Sequence, residues 1–324
     1  MNSRLAATAA VALLAPLTLT ACGDDKASAS SGLDVVTSFY PLQLAVEQIG
    51  GEHVDVINLT KPGTEPHDLE LSPKDVAKVS KADLFVYEKG ISGAVDQTAT
   101  NQAKGTAYDV SGVAHLDLKI PTGVGEEHHE GDGHDHASEG EGEGHEHDEA
   151  GATDPHFWLD PVRYQGVATA VAEQLSKADP AHKADYAAGL KSFNARLGTL
   201  ATELTSGLRS CTQKNLVTGH AAFGYLAART GLHQVPIAGL SPESEPDAAH
   251  LAQVASYTKK HGIRTIYTET LGSPEFAKAV AGSTGATTAV LDPVEGITDS
   301  SAGKDYFQVM RANLATLKKG QSCS

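Results

Sequence analysis

The chain has no excess of positive charge. Its 324 residues carry 25 Lys and Arg against 41 Asp and Glu, a formal net charge of −16. That balance argues against nucleic acid as a partner, because phosphate binding needs clustered cations. Residues 126–150 lack Lys and Arg altogether and hold eleven Asp and Glu, so leaving them out takes the charge from −16 to −5. The acidity therefore belongs to one stretch and not to the folded body. Long apolar runs are missing after the first twenty residues, so nothing in the body reads as membrane-spanning. Cysteine is scarce: there are three, Cys22, Cys211 and Cys323. There is also no His-Glu-x-x-His helix, the arrangement that places two zinc ligands and a general base on one helical face.

What is present at the N-terminus is a targeting signal. Arg4 supplies a positive start, and Leu5 to Thr20 form an apolar stretch interrupted by Pro16. It is too short and poorly flanked for a stable transmembrane helix. It ends in Leu19-Thr20-Ala21-Cys22, which resembles the bacterial lipoprotein signal, where the Cys thiol accepts lipid before cleavage. Residues 1–21 are therefore expected to be a signal peptide and Cys22 the lipid-bearing residue. Residues 22–32, rich in Gly, Ser, Ala and Asp, read as a flexible tether. Export implies an oxidising compartment, in which Cys211 and Cys323 can form a disulfide; two independent free thiols are the alternative.

The body alternates short apolar runs with helical patterns. Strands are expected at 34–38, 53–58, 83–87 and 106–110, and helices at 41–49, 73–81 and 93–102. After a long helical region the alternation returns, with strands at 215–218, 234–237, 264–268 and 288–291 and helices at 221–229, 247–261, 274–281 and 304–318. Strands separated by helices of about ten residues read as βαβ units with a parallel sheet. The helical region, 161–208, is divided at Asp179-Pro180, because a residue before Pro is pushed out of the α region. In its second piece Tyr186, Leu190, Phe193, Leu197, Leu200 and Leu204 recur at three- and four-residue spacing, one sustained apolar face. A helix of that length suits a connector between two lobes; packing within one lobe is the alternative. The organisation read from the sequence is a lobe over 33–178, a linking helix over 179–208 and a second lobe over 209–324. Residues 123–151, mostly Gly, Glu, Asp and His, cannot repay their ordering entropy by burial and are expected to be disordered.

Metal chemistry is written in the histidines. Within that segment, His128, His129, His134, His136, His145 and His147 include two His-x-His pairs, whose i and i+2 side chains share one side of an extended chain. Imidazoles with nearby carboxylates suit zinc, copper or nickel, so these residues are expected to be weak auxiliary metal contacts. An ordered site needs ligands elsewhere. His67 follows Pro62-Gly63-Thr64-Glu65-Pro66, a loop that two prolines stiffen. His156 lies in Asp154-Pro155-His156-Phe157-Trp158-Leu159-Asp160-Pro161. His220 ends the strand in Val217-Thr218-Gly219-His220, and Asp292 ends the last strand in Val290-Leu291-Asp292-Pro293. In parallel α/β sheets these strand ends face the crevice where ligands bind. Three imidazoles and a carboxylate make a four-coordinate zinc set. His220 is further expected at a helix N-terminus, where the helix dipole disfavours imidazolium and leaves a neutral, metal-binding ring. His53, His115, His182, His233, His250 and His261 lie outside these motifs and are expected at the surface.

Together with Ser38-Phe39-Tyr40-Pro41, Gly219-His220-Ala221-Ala222-Phe223-Gly224-Tyr225 and Ser241-Pro242-Glu243-Ser244-Glu245-Pro246, these motifs resemble the solute-binding proteins of zinc and manganese ABC importers over about residues 34–320. The resemblance implies an α/β fold of two βα lobes, each with a parallel four-stranded sheet, joined by a long rigid helix with metal in the cleft between them. It implies that His67, His156, His220 and Asp292 are the ligands, with Glu65 and Glu269 beside the metal as supporting or alternate ligands. His at the third position accompanies zinc in that family and Glu accompanies manganese, so Zn2+ is the expected ion. The implied function is an extracytoplasmic, lipid-anchored, monomeric zinc receptor that serves a membrane permease, and not an enzyme. A manganese-importer receptor, a zinc-dependent hydrolase, and an adhesin or zinc store are the competing readings.

Overall fold

A computed structural model describes residues 32–103, 105–121, 124 and 151–324. The expectations for Cys22, for the leader and for His128, His129, His134, His136, His145 and His147 lie outside the described residues. Among the described residues, no helix is long and apolar enough to cross a membrane.

The first run of elements is β1 (Leu33–Thr37), α1 (Tyr40–Gly50), β2 (Val54–Asn58), α2 (Pro73–Val79), β3 (Leu84–Tyr87), α3 (Gly93–Gln102) and β4 (Ala107–Asp109). The strands form a parallel sheet in the order β2-β1-β3-β4, with Val35 level with Val56 on one side and Leu84 on the other. Local chemistry sets the boundaries. Ser72 and Asp75 form a reciprocal capping box at the start of α2, with Pro73 just inside. Ser72 accepts from the Asp75 amide, which would otherwise be an unpaired helix-end donor.

Two helices follow, α4 (Pro161–Ala178) and α5 (Lys183–Leu208), separated at Asp179-Pro180 by one 3-10 turn. Tyr186, Phe193, Leu197, Leu200, Leu204 and Leu208 are buried along one face of α5, and Leu190 is half-buried. Helix α5 packs on α1 and α4 of the first half and on α6 and α9 of the second, so it bridges elements of both halves. Gly189 is required for the close approach: a Cβ there would stand 2.4 Å from the Ile49 carbonyl oxygen.

The second run repeats the first: β5 (Asn215–Thr218), α6 (Gly224–Thr230), β6 (His233–Pro236), α7 (Ala248–Lys260), β7 (Thr265–Thr268), α8 (Glu275–Thr284), β8 (Thr287–Val290) and α9 (Tyr306–Gly320). Its four strands are again parallel, in the order β6-β5-β7-β8. Cys211 and Cys323 are disulfide-bonded, which joins the start of this half to the tail after α9. One difference from expectation matters later. Helix α6 begins at Gly224, not at residue 221, because Ala221–Phe223 form a turn in which the Ala221 amide donates to Gly239 O (2.9 Å).

One hydrophobic cluster runs through both halves, from Val35 and Leu42 through Trp158, Tyr164 and Phe193 to Phe307 and Leu317. Polar links cross the same boundary. Arg229 on α6 forms two hydrogen bonds with Asp160 at the start of α4 (2.9 and 2.8 Å). The Trp158 indole donates to Pro293 O (2.7 Å), and Tyr306 OH donates to Trp158 O (2.5 Å). Of the histidines expected at the surface, His115, His233 and His261 are exposed and His53, His182 and His250 half-buried. His53 stacks on His182 at 3.9 Å, tying the start of β2 to the start of α5.

Candidate metal centre

His67 rides on the loop between β2 and α2. The loop leaves the sheet through Leu59 N donating to Thr37 O (2.8 Å) and Thr60 Oγ1 donating to Ser38 O (2.6 Å). At its far side the His67 amide donates to Glu65 Oε1 (3.3 Å). His156 comes from the segment entering α4. Residues 118–120 pair with 151–154 in a short antiparallel ladder, with Ile120 N donating to Ala152 O (2.8 Å) and Asp154 N to Leu118 O (3.0 Å). The ladder delivers Asp154, whose Oδ1 accepts from the His156 amide (2.9 Å) and lies 2.8 Å from ring Nδ1. An ionised carboxylate only accepts, so Nδ1 carries a hydrogen and Nε2 faces inward.

His220 is held the same way from the other sheet. It follows β5, and Glu269, just past β7, accepts from its amide (2.8 Å) and pairs with its Nδ1. Its carbonyl accepts from Thr218 Oγ1 (2.7 Å) and Gln234 Nε2 (3.0 Å). Ring and backbone are fixed together, and Nε2 again points inward.

The fourth member is Glu295. His67, His156, His220 and Glu295 form the one group of potential metal donors found among the described residues, each offering an atom within 4.8 Å of the others. Glu295 Oε1 lies 3.6, 3.3 and 3.5 Å from Nε2 of His67, His156 and His220. His67 Nε2 and His156 Nε2 are 3.2 Å apart. All four side chains are buried. His220 Nε2 and both Glu295 oxygens have no well-aligned hydrogen-bond partner. Inward-facing ring nitrogens and carboxylate oxygens left without such partners are what a cation would satisfy once the rings give up their second protons.

Asp292, expected as the fourth donor, is not in this group. Its Oδ1 accepts from the Val294 amide (2.8 Å), and its backbone is clasped by Asn313 on α9, which accepts from Asp292 N (3.0 Å) and donates to Asp292 O (2.7 Å). One oxygen of the short side chain is spent on the turn, while Oδ2 is buried without a well-aligned hydrogen-bond partner and outside the reach of the three rings. Glu295, one turn further on and one methylene longer, is the carboxylate that enters. The signal was in the sequence as a Glu inside the apolar run Pro293-Val294-Glu295-Gly296-Ile297, where an unpaired charge would not be buried without a partner. Glu65 and Glu269 are outside the group as well; Glu269 orients His220 and Glu65 holds the His67 amide.

Protonation follows the contacts. Burial alone would push Glu295 up, but three facing imidazoles outweigh it and hold the carboxyl well below its ordinary range. Burial disfavours charge on His220, yet Glu269 and Glu295 raise it well above an ordinary imidazole. His156 is raised likewise, with Asp154 and Glu295 overcoming burial. His67 has no partner at Nδ1, and burial lowers it. Glu65 is pushed up to about 9, first by burial and then by the Glu295 charge, so at neutral pH it is a neutral acid. The expected helix-dipole effect on His220 is thus overturned: α6 starts four residues later, and two carboxylates govern the ring.

Known proteins share this arrangement of elements. A family model described as zinc-uptake complex component A, periplasmic (ZnuA), matches residues 35–320. The zinc-binding protein AdcA of Streptococcus pyogenes is 40% identical over 295 residues, covering 90% of this chain and 56% of AdcA. The chain thus spans little more than half the length of the AdcA proteins it matches. The high-affinity zinc uptake system protein ZnuA of Bacillus subtilis is 39% identical, with 93% of each chain covered. Among solved structures, the Zn(II)-bound ZnuA-like domain of Streptococcus pneumoniae AdcA aligns with a TM-score of 0.69 at 34% identity, over 90% of this chain and 99% of that one. The laminin-binding protein Lbp of Streptococcus pyogenes aligns at 0.71 and 31%, over 90% and 100%.

Proposed function

This chain belongs to the ZnuA family of zinc-uptake components, and from that premise we propose that it captures Zn2+ outside the cytoplasm and passes it to the permease of an ABC importer. The ligands in this reading are Nε2 of His67, His156 and His220 and a carboxylate oxygen of Glu295. Three neutral imidazoles and one carboxylate fit tetrahedral zinc. Manganese favours more oxygen donors in an octahedral set. The observation that carries the reading is the convergence of Nε2 atoms from both halves, two of them aimed by carboxylates at Nδ1. Such partners fix the tautomer and raise ligand basicity. A closed four-protein-ligand set leaves no open position for a reacting water, which favours a carrier over a hydrolase.

Residues 33–178 and 209–324 act as two lobes joined by α5, with zinc between them. Cys22 anchors the mature, monomeric chain to the membrane by lipid. His128, His129, His134, His136, His145 and His147 collect zinc weakly near the site, at high effective concentration because His147 is nine residues from His156.

The test is calorimetric titration with zinc and manganese of the wild type and of His67→Ala, His156→Ala, His220→Ala and Glu295→Ala. Each is expected to bind zinc much more weakly while remaining folded by circular dichroism. Wild-type affinity in all four, or tighter binding of manganese than zinc, refutes the assignment. Deleting residues 126–150 should leave the tight site nearly unchanged and lower the total stoichiometry.

A further inference from the structure

Charges in residues 209–324 are sorted by end. The nine Asp and Glu of this half stand between the end of a strand and the first residue of the next helix, on the edge of the second sheet that carries His220 and Glu295. The opposite edge, where the strands begin, has none. Instead the chain leaves α5 through Arg209 and enters β5 through Lys214. Helix α7 ends in Lys259 and Lys260, and Arg264 leads into β7. Helix α9 ends with Lys318 and Lys319.

These segments form one surface. Cys211 is bonded to Cys323, Gln213 N donates to Gln321 O (3.1 Å), and Gln213 Nε2 donates to His261 O (3.1 Å). All seven cations are exposed except Lys214, which is half-buried. Among the described residues none of the seven forms an ion pair, whereas Arg163, Arg196, Arg229 and Arg311 elsewhere all do.

Lysines at helix C-termini have an ordinary explanation, since they complement the helix dipole. It does not cover this surface. Lys214 and Arg264 precede strands, and the same edge of the first sheet mixes Lys81 with Glu47, Glu52 and Asp83, with no basic residue in the last turn of α1. The second half places no Asp or Glu side chain at this end.

We propose that this basic pole is a docking face for an anionic phospholipid bilayer. A broad set of exposed cationic side chains, the Arg209 guanidinium and the ammonium groups of Lys259, Lys260, Lys318 and Lys319, with no Asp or Glu side chain among them, fits a plane of phosphate headgroups. The setting rests on the reading of Cys22 as acylated. Helix α5, 26 residues or roughly 39 Å long, runs from the starting edge of the first sheet to that of the second. Leu33 lies only eleven residues after Cys22, so acylation at Cys22 keeps the body close to a bilayer.

The test uses the chain from Cys22 onward, made without lipid. Gly32–Ser324 are one compact unit, and the solved Lbp chain, wholly covered by the alignment, is such a unit alone. It is sedimented with vesicles of phosphatidylcholine and with vesicles containing roughly one-third phosphatidylglycerol. Expected are binding to the anionic vesicles only, loss of binding at high salt, and at least a tenfold fall in partition for the quadruple variant Lys259→Glu, Lys260→Glu, Lys318→Glu, Lys319→Glu with zinc affinity unchanged. The control Lys74→Glu, Lys89→Glu, Lys278→Glu, Lys304→Glu, all exposed and away from the edges where the strands begin, alters net charge equally and should keep partition within about twofold. Equal partition on both vesicle types, equal loss in both variants, or binding to soluble polyphosphate without binding to vesicles overturns the proposal. Mass analysis of Cys22 in cells tests the anchor separately and leaves this result standing.

Discussion

At the scale of residues, the metal-free centre stores protons that zinc must displace. His220 and His156 hold their protons to higher pH than a free imidazole, because carboxylates face both ring nitrogens. A ligand needs its lone pair, so zinc binding at pH 7 releases protons. Affinity is therefore expected to rise with pH until the raised histidine pKa values are passed, and to fall as pH drops below them. Glu295, held low, stays ionised through this window and takes no part in the exchange. Titration in buffers of different ionisation enthalpy measures the release; a net count of zero would contradict this account. The orienting carboxylates should matter nearly as much as the ligands. Asp154→Asn and Glu269→Gln are expected to weaken zinc about 10–100-fold, read as a shift in Kd with the far-ultraviolet spectrum unchanged.

Histidines of the centre were legible in sequence because each sits beside a Pro, a Gly or a strand end that limits where its ring can go. The carboxylate was not. Asp292 is the first acid after β8 and is the expected ligand, but its backbone is clasped by Asn313, 21 residues away on α9, and Glu295 is the carboxylate that meets the three rings. No local pattern reveals that clasp. The same is true of the 118–120/151–154 ladder, whose strands are parted by some thirty residues of low complexity.

At the scale of elements, α5 is held by shape. Glycine in a helix interior costs about 1 kcal/mol relative to alanine, yet Gly189 lies where the backbone of α1 leaves no room for a Cβ. Gly189→Ala, favourable by propensity, is expected to destabilise by about 1–3 kcal/mol through overpacking, measured by chemical denaturation. A more stable variant would mean that α1 and α5 can separate freely. Apolar spacing located α5, and the Pro at 180 located its start, because both are local signals. The start of α6 was misplaced for the opposite reason: the Ala221 amide is claimed by Gly239, across the crossover between β5 and β6. Replacing Cys211 and Cys323 by Ser should cost about 2–5 kcal/mol, seen as a lower Tm under oxidising conditions and no change under reducing ones.

At the scale of the whole molecule, the indole of Trp158 acts as a crossbar. It stands two residues from His156 and hydrogen-bonds the carbonyl of Pro293, two residues from Glu295. Two donors supplied by different halves are thus riveted to one buried ring. Drawing the halves apart would break that bond, the Arg229–Asp160 pair and the core beneath them at once. The His67 ring has no such brace, since its Nδ1 is without a partner; its loop is held instead by the Ser241 hydroxyl donating to Asp68 (3.1 Å) and the Ser92 hydroxyl donating to Leu69 O (3.0 Å). Zinc is therefore expected to leave by way of residues 59–72, whose displacement breaks the Ser241–Asp68 and Ser92–Leu69 bonds and turns a four-toothed grip into a three-toothed one. Loosening that loop with Pro66→Gly is expected to speed zinc dissociation in stopped-flow chelator competition, and Trp158→Phe to lower Tm with little change in that rate. On this expectation the grip is a vice with one separately held tooth, and opening it costs the contacts of a single loop rather than those of two halves.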